Sequence, residues 1–107
     1  MFKNIIFFIS IIFSLNAVAN TSSILNKLNG YKIIKTTTIV GWENDDKKED
    51  NFKGCEFGMK IIFDDNSYLV CKEYNYYYSY RPEAIILYNG YDIKMVVDNN
   101  IFEMSKY

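Results

Sequence analysis

The chain has no histidine among its 107 residues, and it has only one proline, two cysteines and five glycines. Histidine is the commonest general base in enzymes and a common metal ligand, so its absence argues against many catalytic and metal sites. The sequence also lacks a G-x-S-x-G elbow, a phosphate-binding glycine loop and an S-x-x-K motif. We therefore expect no catalytic residues, no bound metal, no cofactor and no enzymatic activity.

The chain has no excess of positive charge either, with 12 Lys and Arg residues against 13 Asp and Glu residues. Lys3 is the only charged residue before Lys27. Proteins that bind nucleic acid or anionic lipid usually carry a clustered basic surface, because their partners are polyanions. We expect no nucleic-acid partner.

The only long apolar run lies near the N-terminus, from Ile5 to Leu15, and two serines interrupt it. A lysine precedes this run, and Ala17-Val18-Ala19 follows it with the small residues of a processing site. This order is typical of a secretory signal peptide, and the run is shorter than the roughly 20 residues of a membrane-spanning helix. We predict that residues 1–19 are a cleaved signal peptide, and that residues 20–107 form a single small β domain. This domain is expected to be periplasmic or secreted, without a stable membrane anchor.

Cys55 and Cys71, the only cysteines, both follow the predicted cleavage site. A small domain in an oxidising compartment benefits from a covalent bridge, so we predict a disulfide between them. A redox pair would favour C-x-x-C spacing, and a metal site would need further cysteines or histidines. A straight hairpin would place Cys71 opposite Lys60 or a neighbour, too far from Cys55. Gly54 and Gly58 flank Cys55 and can let the chain bend or bulge there, so the bridge also predicts a bend near Gly58.

The mature chain favours β-structure after one short helix. Residues 21–28 have the pattern of a capped helix that ends at Asn29-Gly30. Residues 43–53 are expected to form a solvated loop because they include nine consecutive polar or charged residues, Glu43 to Asn51. Short connections favour a mainly β fold, a small antiparallel barrel or roll of about five to six strands. The predicted strands are Tyr31–Val40, Phe57–Phe63, Ser67–Tyr80, Ala84–Tyr88, Tyr91–Val97 and Ile101–Met104. Three turns are predicted between them, at Asp64-Asp65-Asn66, Asn89-Gly90 and Asp98-Asn99-Asn100.

The most informative segment runs from Tyr74 to Tyr80 and contains five tyrosines. Side chains alternate across a strand, so four of these tyrosines share one face. We name this set the tyrosine row: Tyr74, Tyr76, Tyr78 and Tyr80. The row can be the core side of a twisted strand, or it can be a surface that binds a ligand. Four hydroxyl groups favour contact with solvent, because each buried hydroxyl needs a hydrogen-bond partner.

Two further residues are candidates for the same surface. Trp42 ends the first long strand, where it can either anchor the core or lie at the rim of a binding face. Arg81 follows the row and can contact an anionic group or end the strand.

These patterns predict a small exported binding protein of the inhibitor, immunity or accessory type. Its partner is expected to be a protein in the envelope or outside the cell. Two alternatives stay open at this point: a binder of glycans or small ligands, which needs a concave aromatic face, and a structural envelope component without a discrete site.

Overall fold

The structure, a computed structural model, describes residues 23–107, so the predicted signal peptide lies outside the described residues. The chain divides into a unit that ends at Gly30 and a unit that runs from Tyr31 to Tyr107. In the first unit, residues 23–27 form the short helix α1. Gly30 follows it with a φ of 87°, a left-handed conformation typical of a glycine after a helix. No helix within residues 23–107 has the length and apolar character needed to cross a bilayer.

The second unit contains nine strands. They are β1 (Lys32–Asn44), β2 (Lys47–Glu49), β3 (Phe52–Cys55), β4 (Lys60–Phe63), β5 (Tyr68–Cys71), β6 (Asn75–Ser79), β7 (Glu83–Tyr88), β8 (Ile93–Val97) and β9 (Asn100–Ser105). Six of them close an antiparallel barrel in the order β1-β4-β5-β9-β8-β7, because β7 also pairs with β1. The predicted mainly β barrel of about five to six strands with one short N-terminal helix is confirmed.

Strand β1 closes the barrel because it is long and bent. Its first part, Lys32–Thr38, pairs with β7, and its later part, from Ile39 onward, pairs with β4. One irregularity in register interrupts the ladder between β1 and β7, and another interrupts the ladder between β1 and β4. Bulges of this kind bend a strand and increase its twist, which allows one strand to serve two neighbours at the closure. The Thr and Ile content of β1 suits such a half-buried, pleated surface.

The barrel interior is filled by apolar side chains from alternate strand positions. Phe52 of β3 and Phe102 of β9 meet edge to face, with ring centroids 5.3 Å apart and planes at 79°. Such a contact stabilises the core by about 0.5–1.5 kcal/mol beyond the burial of area. The largest fully buried side chains are Phe52, Phe63, Phe102, Ile39, Met59, Ile61, Met95, Met104, Val97, Cys55 and Cys71.

Three turns predicted from Asp, Asn and Gly connect consecutive barrel strands. Asn66, between β4 and β5, and Asp98, between β8 and β9, have φ values of 69° and 55°. Gly90, between β7 and β8, has a φ of 101°. Left-handed backbone is least costly at Gly, Asn and Asp, which explains why these residues lie at these positions.

The predicted loop over residues 43–53 is only partly correct. Its first half forms a short hairpin, since β2 pairs with the end of β1. Its last residues enter β3, where Phe52 is fully buried. The charged side chains of β2 are exposed. Their polarity therefore predicted contact with solvent correctly, but it gave no indication that the segment is a strand.

The predicted strand Ser67–Tyr80 is wrong as a single element, because the chain leaves the barrel between β5 and β6. Lys72 N still donates to Glu103 O at 3.0 Å, and the barrel pairing ends there. Strand β6 then pairs antiparallel with β3 in a separate two-stranded sheet, which we call the β3–β6 ribbon. The two elements are thus β5, in the barrel wall, and β6, outside it.

A disulfide joins Cys55 to Cys71, with their Cα atoms 5.6 Å apart, as predicted. The predicted bend is present at Gly58, whose φ is 84°. Gly58 N donates to Cys71 O at 2.9 Å, and Cys71 N donates to Met59 O at 2.8 Å. Cys71 therefore lies beside Met59 in the hairpin register, and the turn at Gly58 brings Cys55 back to it. Both cysteines are buried.

Replacing both cysteines, Cys55→Ala/Cys71→Ala, is expected to lower the free energy of unfolding by about 3 kcal/mol, because the unfolded chain regains loop entropy. Urea denaturation followed by fluorescence measures this loss, since Trp42 is the single tryptophan and is buried. Wild-type protein under reducing conditions is the matched control and should lose a similar amount. A loss below about 1 kcal/mol would contradict a stabilising bridge.

Candidate binding face

The tyrosine row points to solvent along its whole length. The exposed fractions of its four side chains are 67%, 66%, 68% and 66%, in chain order. The residues between them, among them Asn75, Tyr77 and Ser79, are half-buried. The interpretation of the row as the core side of the strand is therefore wrong, and the alternation instead directs the row outward.

The opposite face of β6 is held against the barrel by polar contacts. Tyr77 Oη donates to Asp98 in the β8–β9 turn, and the Tyr77 ring packs against the core cluster. Asn75 Nδ2 donates to Ile101 O at 3.2 Å. Just before the strand, the Glu73 carboxylate accepts a hydrogen bond from Glu103 N at 3.4 Å. These contacts give β6 a fixed inner face, so the row has a fixed outer face.

The neighbouring strand β3 leaves the row uncovered at its middle. Gly54, with a φ of 91°, lies opposite Tyr76. A Cβ atom on Gly54 would lie 2.5 Å from Tyr77 N, which the backbone of β6 does not allow. Residues directly opposite one another in an antiparallel pair project to the same face. Because Gly54 has no side chain, Tyr76 has no neighbour from β3 at this position.

Arg81 lies at the end of the row, as the sequence predicts. It has a left-handed backbone conformation, with a φ of 46°, in the turn that leads from β6 to β7. Its guanidinium carbon lies 5.8 Å from the centroid of the Tyr80 ring. This distance is within the range of a cation–π interaction. Arg81 therefore adds one positive charge to a face that is otherwise aromatic and neutral.

Trp42 does not belong to this exposed face, because it is 2% exposed and lies in the core cluster. Its indole Nε1 donates to Asn51 Oδ1 at 3.0 Å, and Lys53 Nζ lies 4.2 Å from its ring. The structure thus resolves the two predicted roles of Trp42 in favour of the core anchor. Of the six residues predicted for the binding face, the four tyrosines and Arg81 are brought together.

The tyrosine row lies outside four surface depressions found within residues 23–107. These depressions have volumes of about 260, 400, 470 and 520 Å³, and no tyrosine of the row lines any of them. Pockets for small molecules are generally concave and enclose most of their ligand. An exposed row outside these depressions therefore favours a flat partner over an enclosed ligand.

The carboxylates of the β4–β5 turn have structural partners. Asp64 Oδ1 accepts a hydrogen bond from Thr37 Oγ1 at 3.0 Å, and Asp65 pairs with Lys35 and also accepts from Ser67. The hydrogen bond from Lys35, followed by that from Ser67, holds the pKa of Asp65 well below its usual range. A general acid at neutral pH needs a raised pKa, so Asp65 does not suit that role. Among residues 23–107, no three Cys, Asp or Glu side chains converge as metal ligands would.

Sequence reasoning missed two residues that position the face. The sequence identifies Asp98 only as part of a turn, and Gly54 only as a neighbour of Cys55 that can permit a bend. Their roles depend on the β3–β6 pairing and on the contact between β6 and the β8–β9 turn. An inward tyrosine between outward ones signals a need for a polar partner, but the pattern does not say which residue supplies it.

The hydrogen bond to Asp98 raises the pKa of Tyr77, because it favours the protonated phenol. Since the folded-state pKa exceeds the unfolded value of about 10, the bond stabilises the fold below about pH 10. That stabilisation is lost as the pH rises through the folded-state pKa. In ¹³Cζ-tyrosine NMR titrations, Tyr77 should ionise above the ordinary tyrosine value of about 10. Asp98→Asn should lower the pKa of Tyr77, whereas Asp92→Asn, in the β7–β8 loop, should not. Ionisation of Tyr77 at or below its ordinary value would contradict the bond.

The observations that bear on function are the exposure of the row and the contacts beneath it. No protein-family model, no curated protein and no solved structure matches this chain. A function is therefore proposed from the geometry of this face.

Proposed function

We propose that this chain is a small exported binding protein that captures a protein partner through the tyrosine row and Arg81. The observation that carries the proposal is the exposure of all four side chains, each about two-thirds accessible, on a strand whose other face is fixed. Exposing a large aromatic surface to water is unfavourable, and monomeric proteins rarely expose a large contiguous apolar patch. Exposed, contiguous apolar patches of this kind commonly mark interaction sites.

Tyrosine suits a surface that is wet in the free protein and buried in a complex. Its ring supplies contact area, and its hydroxyl group stays hydrated until a partner replaces the water. Because the side chain has only two rotatable angles, little entropy is lost when it is immobilised. Tyrosine and arginine are also enriched among the residues that dominate binding energy.

The size of the face fits a protein partner. With about 150–250 Å² per aromatic side chain, four rings that are two-thirds exposed present about 400–650 Å². A standard interface buries about 800 Å² on each partner, so the row supplies most of one side and Arg81 extends it. The row lines none of the four depressions described above, which favours this partner over an enclosed glycan or small ligand.

The proposal includes action outside the cytoplasm, in the periplasm or in the surrounding medium. The apolar run and the processing site in residues 1–19 support export. The bridge between Cys55 and Cys71 also suits an oxidising compartment, since cytosolic proteins rarely hold such a bond.

The proposal is tested by immobilising the oxidised protein and capturing partners from an envelope extract. Tyr76→Ser/Tyr78→Ser is expected to weaken capture at least about thirtyfold, because two central anchors of the interface are removed. Thermal unfolding of this variant should stay within a few degrees of wild type, since exposed side chains contribute little to stability. The matched control is Tyr91→Ser/Tyr107→Ser, which removes two tyrosines that are 91% and 96% exposed elsewhere.

Capture that is lost with both pairs indicates nonspecific aromatic adhesion, and capture retained by the row variant contradicts the proposal. Digesting the extract with protease before capture separates the two classes of partner. A protein partner is destroyed by this treatment, whereas a glycan survives it and would still elute. Recovery of a protease-resistant glycan would replace the protein partner with the alternative.

A further inference from the structure

A depression of about 470 Å³ lies at one end of the barrel, beside the β4–β5 turn. Antiparallel pairing brings the starts of β1 and β5 and the ends of β4 and β9 to this end of the barrel. Phe63 from β4, Leu69 from β5 and Ile86 from β7 line the depression. Phe63 and Ile86 belong to the core cluster, and Leu69 packs against it. The floor of the depression is therefore the end of the hydrophobic core.

The alternation of side chains along the strands explains this lining. Phe63 shares the inward face of β4 with Ile61, and Ile86 shares that of β7 with Ala84; all four are buried. Lys35 lies opposite Ile86 in the β1–β7 ladder, and directly opposite residues project to the same face. A barrel needs about eight strands to enclose one small ligand, so in a six-stranded barrel the mouth is where a ligand site is expected.

The rim of the depression is apolar and open to solvent. Ile34 and Tyr68 line it and are 59% and 45% exposed. Ile34 lies where the β1–β7 ladder shifts in register, between Ile33 and Lys35, so it has no opposite residue in β7. Ligand sites are typically concave and lined mainly by hydrophobic side chains. An apolar rim above an apolar floor therefore suits the apolar part of a ligand.

The charge around this depression differs from that around the other three found within residues 23–107. Each of the other three is lined by at least two Asp or Glu side chains, whereas none lines this one. Two lysines line it instead, Lys35 and Lys106. Lys35 pairs with Asp65 and donates to Ser67 Oγ at 2.9 Å. Lys106 is exposed and forms no ion pair with another residue of this described part of the chain. The depression therefore carries one uncompensated positive charge, which favours an anionic group.

We propose that this end of the barrel binds an amphiphile made of an aliphatic chain and a carboxylate group. The chain lies against Ile34, Leu69 and Ile86, and the carboxylate pairs with Lys106 through a charge-assisted hydrogen bond. The volume of about 470 Å³ is within the range of small-molecule sites. This site goes beyond the proposed function and is independent of it, because no residue of the tyrosine row lines the depression.

An NMR titration of the purified, oxidised, ¹³C-methyl-labelled protein with sodium decanoate tests the site directly. We expect saturable shifts of the methyl signals of Ile34, Leu69 and Ile86, and unchanged signals for Ile33 and Ile85, which do not line the depression. Decanol and decyltrimethylammonium have the same chain without the carboxylate, and should bind at least about tenfold more weakly. Absence of a saturable shift overturns the site. Equal binding of the alcohol or of the cation overturns the assignment of an anionic ligand.

Two variants at exposed positions test the contacts, since neither change is expected to disturb the fold. Ile34→Ser should weaken decanoate binding about tenfold through lost apolar contact, and Lys106→Glu should weaken it at least as much through repulsion. The matched controls are Ile33→Ser, at a neighbouring position that is 64% exposed, and Lys72→Glu, at an exposed lysine outside the depression. Both controls should bind as wild type. Unchanged binding by Ile34→Ser or by Lys106→Glu overturns the proposal.

The variant Tyr76→Ser/Tyr78→Ser separates this site from the proposed function. It should bind decanoate as wild type does, although capture of the protein partner is weakened. Loss of decanoate binding in this variant would place the amphiphile on the tyrosine row and overturn the site at the barrel end.

Discussion

The arrangement of this molecule depends on the bridge between Cys55 and Cys71. Cys55 is the last residue of β3, and Cys71 is the last residue of β5 before the chain leaves the barrel for β6. The bridge therefore joins the barrel wall to the ribbon at the point where the two separate. A two-stranded ribbon is marginally stable alone. Here it is held by the bridge at one end and by the burial of Phe52 against Phe102 further along.

Once the ribbon is held in this way, the alternation of side chains decides which face of β6 is available. The inner face is fixed by Tyr77 and Asn75, which reach the β8–β9 turn and the backbone of β9. The outer face is left with the tyrosine row, and Gly54 provides no side chain to cover it. The same constraint thus accounts for the exposed aromatic face, and the proposed function depends on the ribbon that carries this face.

Much of the barrel could be predicted from local signals. Asn89-Gly90, Asp64-Asp65-Asn66 and Asp98-Asn99 mark hairpins because their residues tolerate left-handed backbone, and the flanking Ile, Val and Phe mark strands. The bend at Gly58 also followed from the sequence, since a bridge to Cys71 could not form in a straight hairpin.

The ribbon could not be predicted in this way. Strand β3 begins within a charged segment, and its partner β6 is distant in sequence, so neither periodicity nor turn chemistry identifies the pair. Trp42 illustrates the same limit, because the position of a side chain at a strand end depends on elements that lie elsewhere in the chain.

Strand β6 presents one face to solvent, and its other face is fixed against the barrel. Tyrosine-selective chemical labelling of the folded, oxidised protein, read out residue by residue by mass spectrometry, tests this arrangement most directly. We expect Tyr74, Tyr76, Tyr78 and Tyr80 to react at rates near that of the fully exposed Tyr91, while Tyr77 is protected several-fold. A row that resists labelling until the protein unfolds, or a Tyr77 that reacts as fast as its neighbours, would contradict the account.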